Sequence, residues 1–203
     1  MQLIGMLDSP YVRRVAISLR LLGLPFEHRS ISVFRAFDAF AAINPVVKAP
    51  SLVCDDGEVL MDSSLILQYV GSLAPQRRLT PAAPAALVRE LRVTGLALAA
   101  CEKAVQIIYE KNLRPPEKQH EPWLERVRGQ LLAACDALEV CMIGQTLPAT
   151  SETITQAGVT TAVAWEFIQS RVAQTVVAGR FPALAAHSAA AESLPEFVAC
   201  LPQ

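Results

Sequence analysis

The sequence predicts a small α/β domain followed by an all-α domain, and three observations carry that expectation. The first third of the chain alternates short apolar runs with helix-period segments. A proline-rich stretch, "APQRRLTPAAPAA", then interrupts the pattern and reads as a linker. Everything after it is spaced as helix.

Residues 2–7 are short, apolar and bounded by Asp8-Ser9-Pro10, the signature of a buried strand. Residues 10–22 follow as a helix, with Val12, Val15, Ala16, Leu19 and Leu22 on one stripe, Arg13, Arg14 and Arg20 off it, and Gly23 as the stop. A second strand is expected at 26–31, and a short helix or loop at 33–43. Strands at 50–54 and 58–61 flank Asp55-Asp56-Gly57, a hairpin signal. Residues 63–73 are helical again, through Leu65, Ile66, Tyr69, Val70 and Leu73. The order β-α-β, connector, β-β-α closes into one layer of four strands, since a β-α-β unit gives parallel strands and the hairpin adds antiparallel ones.

Beyond the linker, one long helix is expected at 87–112, with Leu87, Leu91, Leu98 and Val105 among its apolar positions and Pro115-Pro116 ending it. A second spans 121–142 through Trp123, Val127, Leu131, Cys135, Leu138 and Met142. In a third, Thr153 and Gln156 stand at capping-box spacing. Two short helices are expected near 181–191 and 195–200. The partition is therefore 1–76, a linker at 77–86, and 87–203.

Composition narrows the function. Of 203 residues, 52% are hydrophobic and 18% charged, so the chain folds. A net charge of -1 without a basic cluster argues against nucleic acid or an anionic membrane surface as partner. The uncharged stretches at 63–76 and 153–165 are shorter than the roughly 18 residues a membrane span needs. No basic-then-apolar leader precedes the first strand, and a cytoplasmic location is expected. The five cysteines are an odd number with no C-x-x-C pair, which predicts reduced, mostly buried thiols. His28, His120 and His187 lie far apart, and no metal is expected.

Three short motifs carry the chemistry. Ser9-Pro10 pairs an N-cap residue with the proline favoured at the first helical position. It lies at the carboxyl end of the first strand, where open α/β sheets place ligands, and a helix N-terminus there suits an anion. The second motif is "NPVVKAPSLV", with Pro50 opening the third strand. The third is "LMDSSLIL", with Asp62-Ser63 at another helix start. Each has an ordinary structural reading on its own.

Together, in this order, the motifs resemble the glutathione transferase family, and "SPYVRR" at 9–14 is similar to its bacterial members. The resemblance covers nearly the whole chain and implies a thioredoxin-like N-terminal domain, a linker and an all-α helical-bundle C-terminal domain. It implies that Ser9 sits beside the sulfur of glutathione, bound as co-substrate, and that Pro50 is the family's cis-proline. The backbone of Ala49 would pair with the cysteinyl backbone of the tripeptide. Lys48 would meet the glycyl carboxylate, Ser63 the γ-glutamyl carboxylate, and Asp62 the γ-glutamyl amine. Asp62 stands where the family usually has Glu. A homodimer is implied as well, and Glu102 is the one carboxylate in the stretch that matches the family's partner-facing helix.

The activity so implied is conjugation of glutathione to a small electrophile, or glutathione-dependent peroxide reduction. With serine rather than cysteine at position 9, the chain lacks the attacking group for mixed-disulfide chemistry. Tyr11, Phe34, Phe37, Tyr109 and Trp165 are candidate walls for the second substrate, although aromatics at helical spacing are commonly core. The alternative is a non-catalytic binding or regulatory protein that keeps the fold without turnover.

Overall fold

A computed structural model describes residues 1–202. Two compact units divide them. One comprises Met1–Leu79 with the tail from Ser193, and the other is Thr80–Glu192. The tail thus groups with the N-terminal unit, whereas the sequence partition places it in a helical domain running from 87. The first unit is the thioredoxin-like α/β domain and the second is all-α.

The α/β unit is built on a four-stranded sheet ordered β2-β1-β3-β4. Strand β1 (Gln2–Ile4) runs parallel to β2 (Glu27–Arg29) and antiparallel to β3 (Ser51–Val53), which pairs antiparallel with β4 (Val59–Leu60). Leu3 lies opposite His28 on one side and Leu52 on the other, and Leu3, Ile4 and Leu52 are fully buried. All four strands are shorter than expected, because the flanking residues turn into the loops that carry the site. The hairpin reads as predicted. Gly57 takes φ +92°, its N–H donates to the Cys54 carbonyl at 3.1 Å, and Asp56 accepts from Glu58 N–H at 3.1 Å.

Helix α1 (Pro10–Leu21) ends in a left-handed Gly23 at φ +68°. The N–H groups of Gly23 and Leu24 donate to the Arg20 and Leu19 carbonyls, each at 3.0 Å, a Schellman closure. The periodicity places Arg13 and Arg14 off the apolar stripe, yet both are buried. Arg13 Nε donates to the Cys200 carbonyl at 2.8 Å, and its guanidinium lies 5.9 Å from the centre of the Phe197 ring. Both partners belong to the tail, whose short helix α8 (Pro195–Val198) packs on α1. The expected segment at 33–43 contains α2 (Phe37–Ala41), anchored by the fully buried Phe40. Helix α3 (Ser63–Leu73) has the predicted bounds.

In the all-α unit, α4 (Pro84–Leu113) starts three residues earlier than expected, because Pro84 is compatible with the first helical turn. Its buried face is not the leucine series. Leu91 is exposed, while Ala97, Ala100, Cys101, Ala104 and Ile107 are buried. Small side chains let neighbouring helices approach closely, and α4 packs on both α5 (Glu121–Gly144) and α6 (Gln156–Val172). On α5 the expected stripe holds except at Trp123, which is exposed while Leu124 is buried instead. Helix α6 is buried nearly all round, as a central helix must be. Trp165 on it is core, edge-on to Phe181 at 5.8 Å.

The α6 start corrects the expected capping box. Thr155, not Thr153, is the N-cap and accepts from Gly158 N–H, while the Thr153 hydroxyl pairs with that of Thr150 at 2.8 Å. The acid that assists comes from another helix: Glu90 on α4 accepts from Ala157 N–H at 2.6 Å. The same device recurs. Glu110 on α4 accepts from His120 N–H at 3.0 Å at the start of α5. Glu139 on α5 takes the Ala183 and Leu184 N–H groups, at 2.7 and 2.9 Å, at the start of α7 (Pro182–Glu192). All three glutamates are buried. A carboxylate facing unpaired helix N–H groups is favoured by both hydrogen bonding and the helix dipole.

No disulfide links the cysteines, and Cys54, Cys101, Cys135 and Cys200 are buried. Burial pushes the Cys135 thiol up to about 12, well outside the range of a reactive thiolate. Among the described residues, no helix is long and apolar enough to cross a membrane.

Burial raises the Glu90 carboxyl above its ordinary 4.5, partly opposed by the Ala157 N–H and Thr155. A raised folded value favours the protonated form, so this contribution to stability is full below 4.5 and is lost as pH rises through the folded value. Urea unfolding at pH 4 and pH 7 should show the stability of the wild type relative to Glu90→Gln falling across that interval. Glu90→Ala, which strands the Ala157 N–H, should lose about 1–3 kcal/mol.

Candidate functional site

The site grows from three loops of the α/β unit. The first joins β1 to α1. Gly5 turns it at φ +133°, and a Cβ there would sit 2.7 Å from Val12 Cγ2 and 3.1 Å from Ala49 Cβ. Glycine is therefore what lets the β1–α1 loop lie against Ala49. His28 Nε2 is 2.7 Å from the Gly5 carbonyl, and the Ser9 N–H donates to the Met6 carbonyl at 3.1 Å. Ser9 caps α1, with Oγ accepting from Val12 N–H at 3.5 Å. Accepting leaves the hydroxyl proton, which is donated to no partner among the described residues.

The second loop leads into β3. The Ala49–Pro50 peptide bond is cis, as the family resemblance implies. A buried amide, Asn44, organises the segment. Its Nδ2 donates to Ser51 Oγ at 2.8 Å, its Oδ1 accepts from Val46 N–H at 3.0 Å, and its Nδ2 lies 3.3 Å from Met61 Sδ. Ser51 Oγ in turn donates to the Lys48 carbonyl at 2.8 Å. Val47 takes φ +52°, an outlier for a β-branched residue, directly before Lys48. The Lys48 ammonium is exposed and has no ion pair or hydrogen bond among the described residues.

The third loop joins β4 to α3, and its Met61–Asp62 peptide bond is also cis. Asp62 caps α3, its Oδ1 accepting from Ser64 N–H at 2.9 Å and Leu65 N–H at 3.3 Å. The Ile66 N–H is taken by the Asp62 carbonyl at 2.9 Å. The Ser63 N–H is thus the one first-turn donor left without a partner among the described residues. Beside it, Ser63 Oγ accepts from Arg14 Nη1 at 3.1 Å, and Ser64 Oγ is 3.4 Å from the same atom. With its oxygen accepting, the Ser63 hydroxyl keeps its proton to donate. A buried positive charge therefore stands behind an N–H and an O–H at a helix N-terminus, a combination suited to an anion.

Each predicted residue thus falls on one of the three loops: Ser9 on the first; Lys48, Ala49 and Pro50 on the second; Asp62 and Ser63 on the third. Sequence reasoning missed Arg14 and Asn44. An arginine off a helix's apolar stripe reads as solvent-facing, and the signal that it is not is the pair of serines opening α3. Among the other candidates, Phe34 and Phe37 are exposed on the α/β unit. Among the described residues, no group of His, Cys, Asp or Glu is arranged to hold a metal ion.

Residues 3–78 match the family described as glutathione S-transferase, N-terminal domain. The uncharacterized GST-like protein YibF of Escherichia coli K12 is 29% identical over 171 residues, 84% of this chain and 83% of its own. A glutathione transferase family member from Pseudomonas fluorescens Pf-5, solved with bound glutathione, is 29% identical over 100% of this chain and 98% of its own, with a TM-score of 0.87. A glutathione S-transferase from Methylobacterium radiotolerans, in complex with glutathione sulfonate, is 26% identical over 99% of this chain and 94% of its own, at a TM-score of 0.89.

Two substitutions test the scaffold of the site. Gly5→Ala should cost about 2–3 kcal/mol, since the added Cβ clashes with Val12 at a backbone angle that alanine resists. Asn44→Ala should cost about 1–2 kcal/mol by removing the buried hydrogen bond to Ser51 Oγ and the part-buried one from Val46 N–H. Thermal melts of both variants check the values.

Proposed function

Because the chain belongs to the glutathione S-transferase family, we propose that it binds glutathione, stabilises the thiolate and transfers it to small electrophiles. The observation that carries this reading is the set of uncommitted donors on two helix N-termini, the Ser9 hydroxyl on α1 and the Ser63 N–H and hydroxyl on α3. Solved relatives of the same fold hold glutathione or its sulfonate, which supports the choice of ligand.

Each part of the tripeptide has a complement. Its γ-glutamyl carboxylate would accept from the Ser63 N–H and hydroxyl, with the Arg14 charge behind them. Asp62 uses Oδ1 to cap α3, leaving Oδ2 for the γ-glutamyl ammonium. The Ala49 backbone would pair with the cysteinyl unit, and exposed Lys48 would meet the glycyl carboxylate. Residues 1–76 are then the glutathione-binding domain.

A free thiol titrates at about 8.5, so little of it is thiolate at neutral pH. Lowering that value by about two units takes roughly 2.7 kcal/mol of preference for the anion. A partly buried helix N-terminus supplies up to ~2 kcal/mol, and a hydroxyl hydrogen bond to a charged acceptor roughly 1.5–3 kcal/mol. The two together reach the requirement. The sulfur anion then attacks an electrophilic carbon, forming the C–S bond while the leaving group departs with its bonding pair. With a hydroperoxide, the O–O bond breaks, the alcohol leaves, and a second glutathione resolves the oxidised sulfur to the disulfide and water. As part of the same reading, the protein acts as a homodimer in the cytoplasm.

Isothermal titration with glutathione tests the binding; no heat up to several millimolar would remove the proposal. Ser9→Ala should leave binding largely intact while raising the apparent thiolate pKa of bound glutathione by about one unit, read from ultraviolet absorbance against pH. An unchanged profile would assign the activation to the helix backbone alone.

A further inference from the structure

The segment following β2 presents a cation, Arg35, that has no charged partner among the described residues. Ser32 fixes the turn, its Oγ accepting from the Phe34 and Arg35 N–H groups at 3.3 and 3.1 Å, and its carbonyl accepting from Ala36 N–H at 3.1 Å. Phe40 anchors the following helix in the core, while Phe34 and Phe37 stay 57% and 56% exposed. Between them in sequence, Arg35 reaches back to the β1–α1 loop, with Nη2 3.5 Å from Met6 Sδ. The carbonyl of the same Met6 holds the Ser9 N–H at 3.1 Å.

A thioether is a weak acceptor and carries no charge. Arg35 makes no ion pair among the described residues. The other arginines of known contact in this unit are differently placed. Arg13 and Arg14 are buried and hydrogen-bonded, Arg29 reaches Gln2 at 3.3 Å, and Arg20 lies over Phe26. Arg35 is instead held in the open by an ordered turn, one residue contact from the loop that carries Ser9, with an exposed aromatic ring on each side in sequence. A guanidinium fork matches a carboxylate in two parallel hydrogen bonds, and neighbouring rings offer an apolar face to the body of the same molecule.

We propose that Arg35 is a specificity-determining residue and that the preferred second substrate is an anionic electrophile, a flat unsaturated or aromatic compound bearing a carboxylate. This rests on the glutathione reading above, and the carboxylate is a handle only. The bond made and the bond broken are those of the conjugation step, and Arg35 exchanges no proton.

Two preformed conjugates test it, S-(4-carboxy-2-nitrophenyl)glutathione and the methyl ester of its aryl carboxylate, titrated calorimetrically against wild type, R35Q and R35K with glutathione alone as reference. The wild type should hold the aryl acid about tenfold more tightly than the ester, with a preference that weakens as salt is raised. R35Q should abolish the preference while leaving the ester and glutathione unchanged, and R35K should retain part of it. Equal affinities in the wild type, or a loss in R35Q shared by both conjugates, would overturn the role of Arg35 while glutathione binding stands. Failure of glutathione and both conjugates to bind would instead remove the reading on which it rests.

Discussion

A guanidinium buried between two helices sets the geometry of the candidate site. Arg14 leaves α1 and donates to Ser63 at the first position of α3, so the helix that presents Ser9 is tied to the helix that presents Ser63. A buried cation is tolerated only where polar partners replace water, and the two serines supply them on one side. The consequence is directional. Because Arg14 donates, Ser63 must accept, and the serine proton is turned away from the guanidinium. One side chain thereby fixes the hydroxyl, adds positive potential behind it, and couples both helix N-termini mechanically.

The second loop is braced on the same principle, with Asn44 in the central place. One buried amide reaches Ser51 on β3, Val46 in its own loop and the sulfur of Met61 before α3. It therefore links the second loop to the third. The unusual backbone of Val47 lies inside this braced segment, where the surrounding hydrogen bonds over-determine the chain. The all-α unit solves its own problem of unpaired helix ends by borrowing. Glu90, Glu110 and Glu139 each serve the start of a helix other than their own, so capping and packing become a single event.

Much of this was legible in the sequence. The strand and helix order followed from periodicity, and the turn residues Gly23 and Gly57 marked two stops correctly, because their chemistry is local. Ser9, Pro50, Asp62 and Ser63 stood out for the same reason, as residues with definite roles at element boundaries. What escaped depends on partners distant in the chain. The long helix α4 buries alanines rather than its more apolar leucines, because close approach to two neighbours decides that face. Thr153 had the right spacing for a cap, but Thr155 took the position, with Glu90 supplying the acid from another helix. Arg14 looked like a solvated charge until α3 was brought against it.

The closure of Arg13 on the tail makes an early part of the chain depend on a much later one. Its guanidinium is buried by Phe197 and satisfied by the Cys200 carbonyl, more than 180 residues further along. During synthesis the α/β unit therefore waits, with a cation in an unfinished interior, until the whole helical unit has emerged from the ribosome. Severing the chain between Leu79 and Thr80 would leave an α/β piece without the tail that covers Arg13. Extensions fused after the tail would likewise be felt first at α1, the helix that carries Ser9.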